Sequence, residues 1–150
     1  MRAFRDAMTT NSFYNYKTIT MTRIESTFAS LQAQNKKALI PDVMAGDPTP
    51  ANFVGLLHDL VKHGADMIEV GLPFSDPMAD GPTVASAGER ALAAGTSTRD
   101  ALNMVAEFRK QDTQTPIILM VYLNPVEVIG YDNFVALCEK SGVDGILIVD

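Results

Sequence analysis

The sequence predicts an α/β fold in which helices cover a parallel sheet. Short apolar runs alternate with amphipathic segments along residues 23–150, and the runs are nearly continuous in apolar residues. Continuous apolar strands are typical of a parallel sheet that is buried on both faces. Polar residues follow the runs at Asp47, Glu69, Asn124 and Asp150. The carboxyl ends of such strands face the active site of a (β/α) barrel, or the ligand crevice of an open doubly wound sheet.

Helix start and stop signals divide the pattern into elements. Thr49 and Pro50 suit the first positions of a helix that ends at Gly64. Ser97 and Asp100 form a capping box for a later helix. The predicted helices begin at 23 and 50 and cover 83–94, 97–110 and 132–140, and the predicted strands cover 38–45, 66–70, 116–122 and 143–149.

A short motif that occurs twice supports the prediction of repeated strand and helix units. Gly64-Ala-Asp66 and Gly142-Val-Asp144 each place a helix-stop glycine two residues before an aspartate that leads into an apolar strand. The pattern has four strands, whereas a full barrel needs eight strands and about 250 residues. Residues 23–150 are therefore predicted to be the N-terminal half of a barrel domain. The first and fourth strands would then be open edges, so we expect this chain on its own to self-associate.

Composition limits the class of protein. The chain has 150 residues, 47% of them hydrophobic, and a formal net charge of −6. This charge argues against a nucleic-acid partner, and no apolar run is long enough for a membrane span. Cys138 is the single cysteine and lies in a helical apolar pattern, which favours a buried structural thiol and a cytoplasmic location.

Residues 1–22 differ from the rest. They carry Arg2, Arg5 and Lys17 against Asp6 alone, and they show no clear hydrophobic period. A targeting peptide is one interpretation, but the segment lacks the apolar region of a secretory signal. The prediction is a disordered extension or a start codon placed upstream of Met21.

The segment from Glu69 to Pro82 is the most informative part of the chain. It leaves a predicted strand through a loop that holds three prolines, two glycines and the carboxylates Glu69, Asp76 and Asp80. A simple solvated turn needs only one aspartate and one glycine. We therefore interpret this segment as an active-site loop.

This segment resembles the signature of the tryptophan synthase alpha subunit family almost residue for residue. The similarity extends over residues 23–150, with supporting matches at Ala45-Gly-Asp-Pro48, Glu89–Gly95 and Met120–Pro125. The resemblance implies a (β/α)8 TIM barrel, of which this chain holds about four βα units. It also implies a lyase of tryptophan biosynthesis that cleaves indole-3-glycerol phosphate to indole and glyceraldehyde 3-phosphate by a retro-aldol step.

The resemblance also implies roles for particular residues. Glu69 matches the family's general acid/base, Asp80 matches the carboxylate that contacts the indole N–H, and Tyr122 matches an aromatic residue of the substrate pocket. The subunit would need no cofactor, because pyridoxal phosphate belongs to the beta subunit with which it forms a heterotetramer. An acid/base carboxyl needs a partly apolar setting that raises its pKa, and the neighbours of Glu69 in Met-Ile-Glu-Val suit this requirement.

Each carboxylate also has a structural interpretation. Glu69 could pair with a lysine at a strand end, and Asp80 could cap the helix that follows Pro82. Asp76 suits a turn, and Asp47 could orient the first loop against the second. His58 and His63 lie five residues apart on different helix faces, so they are expected to be packing or surface residues rather than joint metal ligands.

Departures from the family pattern bear on activity. Asp42 stands where the family usually has a phenylalanine near the indole, and a charge there would be costly to desolvate. Ala85 stands where a glutamine is often found. The family's phosphate-binding glycines lie in the half of the barrel that this sequence does not include, so the chain alone is expected to be inactive.

Two other functions remain open. The loop 74–82 matches family surface that touches the beta subunit, so the chain could be a non-catalytic module that binds that subunit. The carboxylates Asp47, Glu69, Asp76 and Asp80 could instead hold Mg²⁺ or Ca²⁺ for hydrolysis, although no histidine accompanies them.

Overall fold

The computed structural model describes residues 21–149, which form a four-stranded parallel sheet in the order β1-β2-β3-β4. The strand bounds are Asp42–Met44 for β1, Ile68–Gly71 for β2, Ile117–Tyr122 for β3 and Gly145–Val149 for β4. The predicted extension at residues 1–22 falls almost wholly outside the described residues. Thr22, its last residue, caps the first helix by accepting a hydrogen bond from the backbone N–H of Glu25.

Six helices connect the strands within residues 21–149. Their bounds are Arg23–Ala33 for α1, Pro50–Lys62 for α2, Pro82–Ala93 for α3, Thr98–Phe108 for α4, Leu123–Ile129 for α5 and Tyr131–Ser141 for α6. The capping box at Ser97 and Asp100 is present at the start of α4, and Gly142 ends α6 with a φ of 78° in the left-handed region.

One face of the sheet packs against the helices. Successive residues of a strand point to opposite faces, so Val43, Ile68 and Val70 share one side, and α2, α4 and α6 cover it. The core on this side includes Phe53, Leu57, Ile68, Val70, Ala101, Leu102, Val105, Phe108, Ile117, Leu119, Val121, Phe134 and Cys138. The opposite face carries the rows Asp42–Glu69–Ile118 and Met44–Gly71–Met120.

Two predicted elements differ from the structure. The first strand was predicted over 38–45 but spans only Asp42–Met44, because Leu39 and Ile40 are 55% and 39% exposed and Pro41 has no N–H to donate to a ladder. The helix α5 was not among the predicted elements. Pro125 occupies the first turn of α5, where its missing N–H would have no helical partner.

The Gly-X-Asp motif makes the same pair of hydrogen bonds with a neighbouring backbone at both of its occurrences. The Asp66 carboxylate accepts the N–H of Leu39 at 2.8 Å, and the Asp66 N–H donates to the Leu39 carbonyl at 2.9 Å. Asp144 makes the same pair of bonds with Ile117, both at 2.9 Å. Each aspartate therefore fixes the start of its strand against the preceding strand.

A buried ionic cluster lies at the same amino-terminal end of the sheet. Asp144 accepts hydrogen bonds from Arg23 and Arg109, each at 2.7 Å. Arg109 also donates to the carbonyls of Gly142 at 2.8 Å and Thr115 at 2.6 Å. The cluster joins α1, α4 and the start of β4, at the end of a barrel where residues usually serve stability.

None of the helices within residues 21–149 combines the length and the apolar character needed to cross a bilayer.

Candidate active site

Glu69 and Asp42 stand side by side on the sheet. Asp42 of β1 is the register partner of Glu69 of β2, and Ile118 of β3 follows in the same row. Neighbouring strands lie about 4.8 Å apart, and register partners point to the same face. The two carboxylates therefore share the face opposite the helical core.

The setting raises the pKa of both carboxyls, and Asp42 is exposed whereas Glu69 is half-buried. Burial, followed by the negative charge of Asp42, raises the pKa of Glu69 above 4.5. Burial, followed by the charge of Asp80, raises the pKa of Asp42 above 3.8. Within residues 21–149, no ion pair includes any of these three carboxylates, so the alternative of a Glu69–lysine pair has no support. A raised pKa suits a carboxyl that gives up a proton and takes it back during a reaction.

The acidic loop, residues 72–81 between β2 and α3, brings Asp80 close enough for its charge to act on Asp42. Its chain turns where the Asp80 N–H donates to the Pro77 carbonyl at 3.1 Å, and α3 starts at Pro82. The residue that caps α3 is Gly81, so the alternative role of Asp80 as that cap is wrong. Asp76 accepts a hydrogen bond from the Ser75 hydroxyl at 3.2 Å, which agrees with its predicted role in a turn.

Tyr122 connects the third strand to the acidic loop. Its side chain is buried, and its phenol oxygen accepts a hydrogen bond from the backbone N–H of Ala79 at 2.9 Å. Its ring centroid lies 5.2 Å from that of Phe74. Tyr122 and Asn124 line a cleft with Phe74 and Met78 beside the loop. The residue predicted to line a pocket therefore also anchors the loop that holds Asp80.

Asp47 joins the first loop to the helix after the second. Its two carboxylate oxygens accept hydrogen bonds of 2.7 and 2.9 Å from Arg90 of α3. This ion pair agrees with the prediction that Asp47 orients one loop against the other. Ala85, on the same helix, is half-buried and bonds through its backbone N–H to the Gly81 carbonyl.

The histidines lie away from this face. The His58 ring packs 4.7 Å from the ring of Phe108 in the core, and His63 donates from Nδ1 to the Asp59 carbonyl at 2.7 Å. They are packing and surface residues, as predicted. In the described part of the chain, no three His, Cys, Asp or Glu side chains meet in a group that could hold a metal ion.

Sequence reasoning missed two parts of the site. The proximity of Asp42 to Glu69 follows from strand register, which the sequence does not specify. The Tyr122–Ala79 hydrogen bond joins residues 43 positions apart and leaves no local signal. Two signs in the sequence pointed to Asp42 itself. It interrupts an apolar run, and the family resemblance places its position near the indole.

Comparisons with known proteins agree with this geometry. The profile of the family described as tryptophan synthase alpha chain matches residues 28–150. The tryptophan synthase alpha chain of Psychrobacter arcticus is 90% identical over 130 residues, which are 87% of this chain and 47% of that protein. The corresponding protein of Acinetobacter baumannii is 63% identical, over 87% of this chain and 49% of its own length.

Solved structures give the same result. Tryptophan synthase subunit alpha from Legionella pneumophila superposes with a TM-score of 0.85 at 53% identity, covering 87% of this chain and 50% of that one. A chain of tryptophan synthase from M. tuberculosis gives a TM-score of 0.81 at 37% identity, covering 87% and 52%. The chain thus spans about half the length of the curated relatives it matches, and its four parallel strands correspond to about half of a TIM barrel.

Proposed function

The chain belongs to the tryptophan synthase alpha chain family, and on that premise we propose that it supplies the acid/base half of an indole-3-glycerol phosphate lyase. The observation that carries the proposal is the position of Glu69, which lies within the strand β2 beside Asp42 and whose carboxyl has a raised pKa. A carboxyl with a raised pKa is better suited to donate a proton and then to take one back.

The proposed reaction is a retro-aldol cleavage. The Glu69 carboxyl gives its proton to C3 of the indole ring, and the Asp80 carboxylate faces the ring N–H, where positive charge develops. Glu69, now ionised, takes the proton of the glycerol hydroxyl next to the ring. The C–C bond then breaks, the new aldehyde carbonyl forms, and the bond's electron pair returns to the ring to give indole. Glu69 ends the cycle protonated, as it began.

Tyr122 has a substrate-binding role in this proposal. Its buried ring borders the cleft beside the acidic loop, and its hydroxyl holds the loop at Ala79. The reaction uses only carboxyl and aromatic groups, so the proposed subunit needs no cofactor. Pyridoxal phosphate would belong to a beta subunit, which would receive the indole within a heterotetramer.

A hybrid protein tests the catalytic roles. In it, this chain replaces the 130 residues that it matches in the Psychrobacter arcticus protein, which is 90% identical there. Indole release from indole-3-glycerol phosphate is measured for Glu69→Gln and Asp80→Asn, with the exposed Glu139→Gln and Asp59→Asn as controls. We expect the first pair to lose about 10²- to 10⁴-fold in kcat, and the controls to stay near the unmodified hybrid. Full activity in Glu69→Gln would exclude the proposed role.

The 150-residue chain alone is the second arm of this test. We expect it to release little indole, because binding energy from remote substrate groups drives the chemical step and the chain spans about half of its relatives. Indole release by the chain alone at rates near the hybrid would contradict this expectation.

A non-catalytic role in binding the beta subunit is the second candidate. The observation in its favour is Met78, which is 77% exposed in the acidic loop beside the cleft of Phe74 and Tyr122. Sedimentation of the chain with a tryptophan synthase beta subunit measures association directly. A complex that also changes the serine deamination rate of the beta subunit would support binding, and separate sedimentation of the two would remove this candidate.

A further inference from the structure

Asp42 adds a third carboxylate to the proposed site. It is the register partner of Glu69, on a neighbouring strand about 4.8 Å away, and both side chains point to the same sheet face. Asp42 also borders a small cavity with Val43, Met44 and Thr83. Its carboxylate is therefore close enough to act on Glu69 without occupying the core.

The charged group that acts on Glu69 is the carboxylate of Asp42. From β1 Glu69 faces Asp42, and its partner on β3 is the uncharged Ile118. The charge of Asp80, from the loop after β2, acts on Asp42. The guanidinium of Arg90, which lines the same cavity as Asp42, is bound by both carboxylate oxygens of Asp47. Within residues 21–149, none of the four ion pairs involves Asp42, Glu69 or Asp80.

We propose that Asp42 is a positioning residue whose negative charge keeps the proton on Glu69 until the indole ring takes it. This inference rests on the proposed function, since it assigns Asp42 a part in the acid/base role of Glu69. A carboxylate beside a second carboxylate disfavours loss of the second proton. The effect agrees in direction with the raised pKa of Glu69, to which burial contributes most and Asp42 next.

The test compares Asp42→Asn with the parent hybrid over a range of pH. Asparagine keeps the size of the side chain and removes its charge. Loss of the charge lowers the pKa of Glu69, so the limb of the kcat/KM profile due to Glu69 moves to lower pH by about one unit. The direction is the same whether Glu69 acts as acid or base in that limb. Asp42→Glu should keep the parent profile, as should the exposed Asp59→Asn, which removes one negative charge elsewhere.

A second measurement does not depend on activity. The Glu69 side-chain carboxyl is titrated by ¹³C NMR in the full 150-residue chain, with and without Asp42→Asn, and with Asp42→Ser as a second neutral variant if the first does not fold. A lower Glu69 pKa in the neutral variant supports the proposal. An unchanged Glu69 pKa overturns it, as does a change in KM alone with a fixed pH profile. Full activity of Glu69→Gln would instead mark failure of the proposed function.

Discussion

The phenol oxygen of Tyr122 accepts a hydrogen bond of 2.9 Å from the backbone N–H of Ala79, the residue before Asp80. This bond links the end of β3 to the loop that carries the second proposed catalytic carboxylate. The position of Asp80 therefore depends on a residue that the loop sequence does not contain.

Tyr122→Phe should loosen the acidic loop while the aromatic ring keeps its packing. A net hydrogen bond stabilises by about 0.5–1.5 kcal/mol, so kcat/KM of the hybrid should fall about 2- to 10-fold. Steady-state kinetics measures the loss. Tyr131→Phe is the matched control, because the Tyr131 hydroxyl bonds to Glu127 at an exposed position. Equal losses in the two variants would show that the Ala79 bond has no special role.

Arg109→Met should destabilise the chain strongly. Arg109 and Asp144 are 10% and 8% exposed, and removal of the guanidinium leaves Asp144 with Arg23 as its remaining cation. The expected loss in the free energy of unfolding is about 3 kcal/mol, measured by urea denaturation. Lys110→Met, in an exposed pair with Glu107, should cost less than about 0.5 kcal/mol. A cost below 1 kcal/mol for Arg109→Met would mean that the cluster contributes little.

Asp112→Asn should destabilise the chain at neutral pH but not in acid. Burial opposes ionisation of Asp112, but hydrogen bonds from Thr115 and Gln114 outweigh it and lower the pKa below 3.8. Stability from this group is present above pH 3.8 and is lost as pH falls through the lowered folded pKa. We expect a loss of about 1 kcal/mol at pH 7 that disappears near the acid end of a thermal-melt series. A loss that is constant over pH would assign the effect to packing.

The effect of Glu69→Gln on folding stability should have the opposite pH dependence to that of Asp112→Asn. The folded pKa of Glu69 is raised, so the stability that its protonated form contributes is present below pH 4.5 and is lost as pH rises through the folded pKa. The neutral variant lacks this loss and should be more stable than the parent at pH 7, by about 0.5 kcal/mol. Thermal melts at pH 4 and pH 7 measure the difference. Lower stability of the variant at pH 7 would contradict the raised pKa.

Cys138 should be unreactive in the folded chain. Burial raises the pKa of its thiol to about 11, so almost no thiolate is present at pH 8. A thiol-specific reagent should label it only after denaturant is added, and labelling in native buffer at the rate of a free thiol would show that the region opens.

The local signals in the sequence predicted the helix ends well. The capping box of Ser97 and Asp100 and the glycine stop at Gly142 act within four residues, and the structure confirms both. The four parallel strands also follow from their apolar runs. The first strand was predicted too long because hydrophobicity alone does not distinguish Leu39, which is exposed, from Val43, which faces the core.

The contacts between distant residues could not be predicted in this way. The family resemblance pointed to Glu69, Asp80 and Tyr122 as candidate site residues, but their arrangement depends on register and on the loop conformation. Arg109 and Asp144 are 35 positions apart, and nothing in the local pattern around either one indicates an ion pair. The repeated Gly-X-Asp motif was visible in the sequence, but the hydrogen bonds that it makes depend on how neighbouring strands align.

The two aspartate bridges, Asp66 to Leu39 and Asp144 to Ile117, have a consequence for how this chain can evolve. They set the strand alignment at the amino-terminal end of the sheet, whereas the acidic loop leaves β2 at the carboxyl end. Substitutions that change the chemistry of the loop can then accumulate without changing the alignment of the strands. Exchange of the acidic loop for another of similar length should leave the bridges, and with them the alignment of the strands, in place.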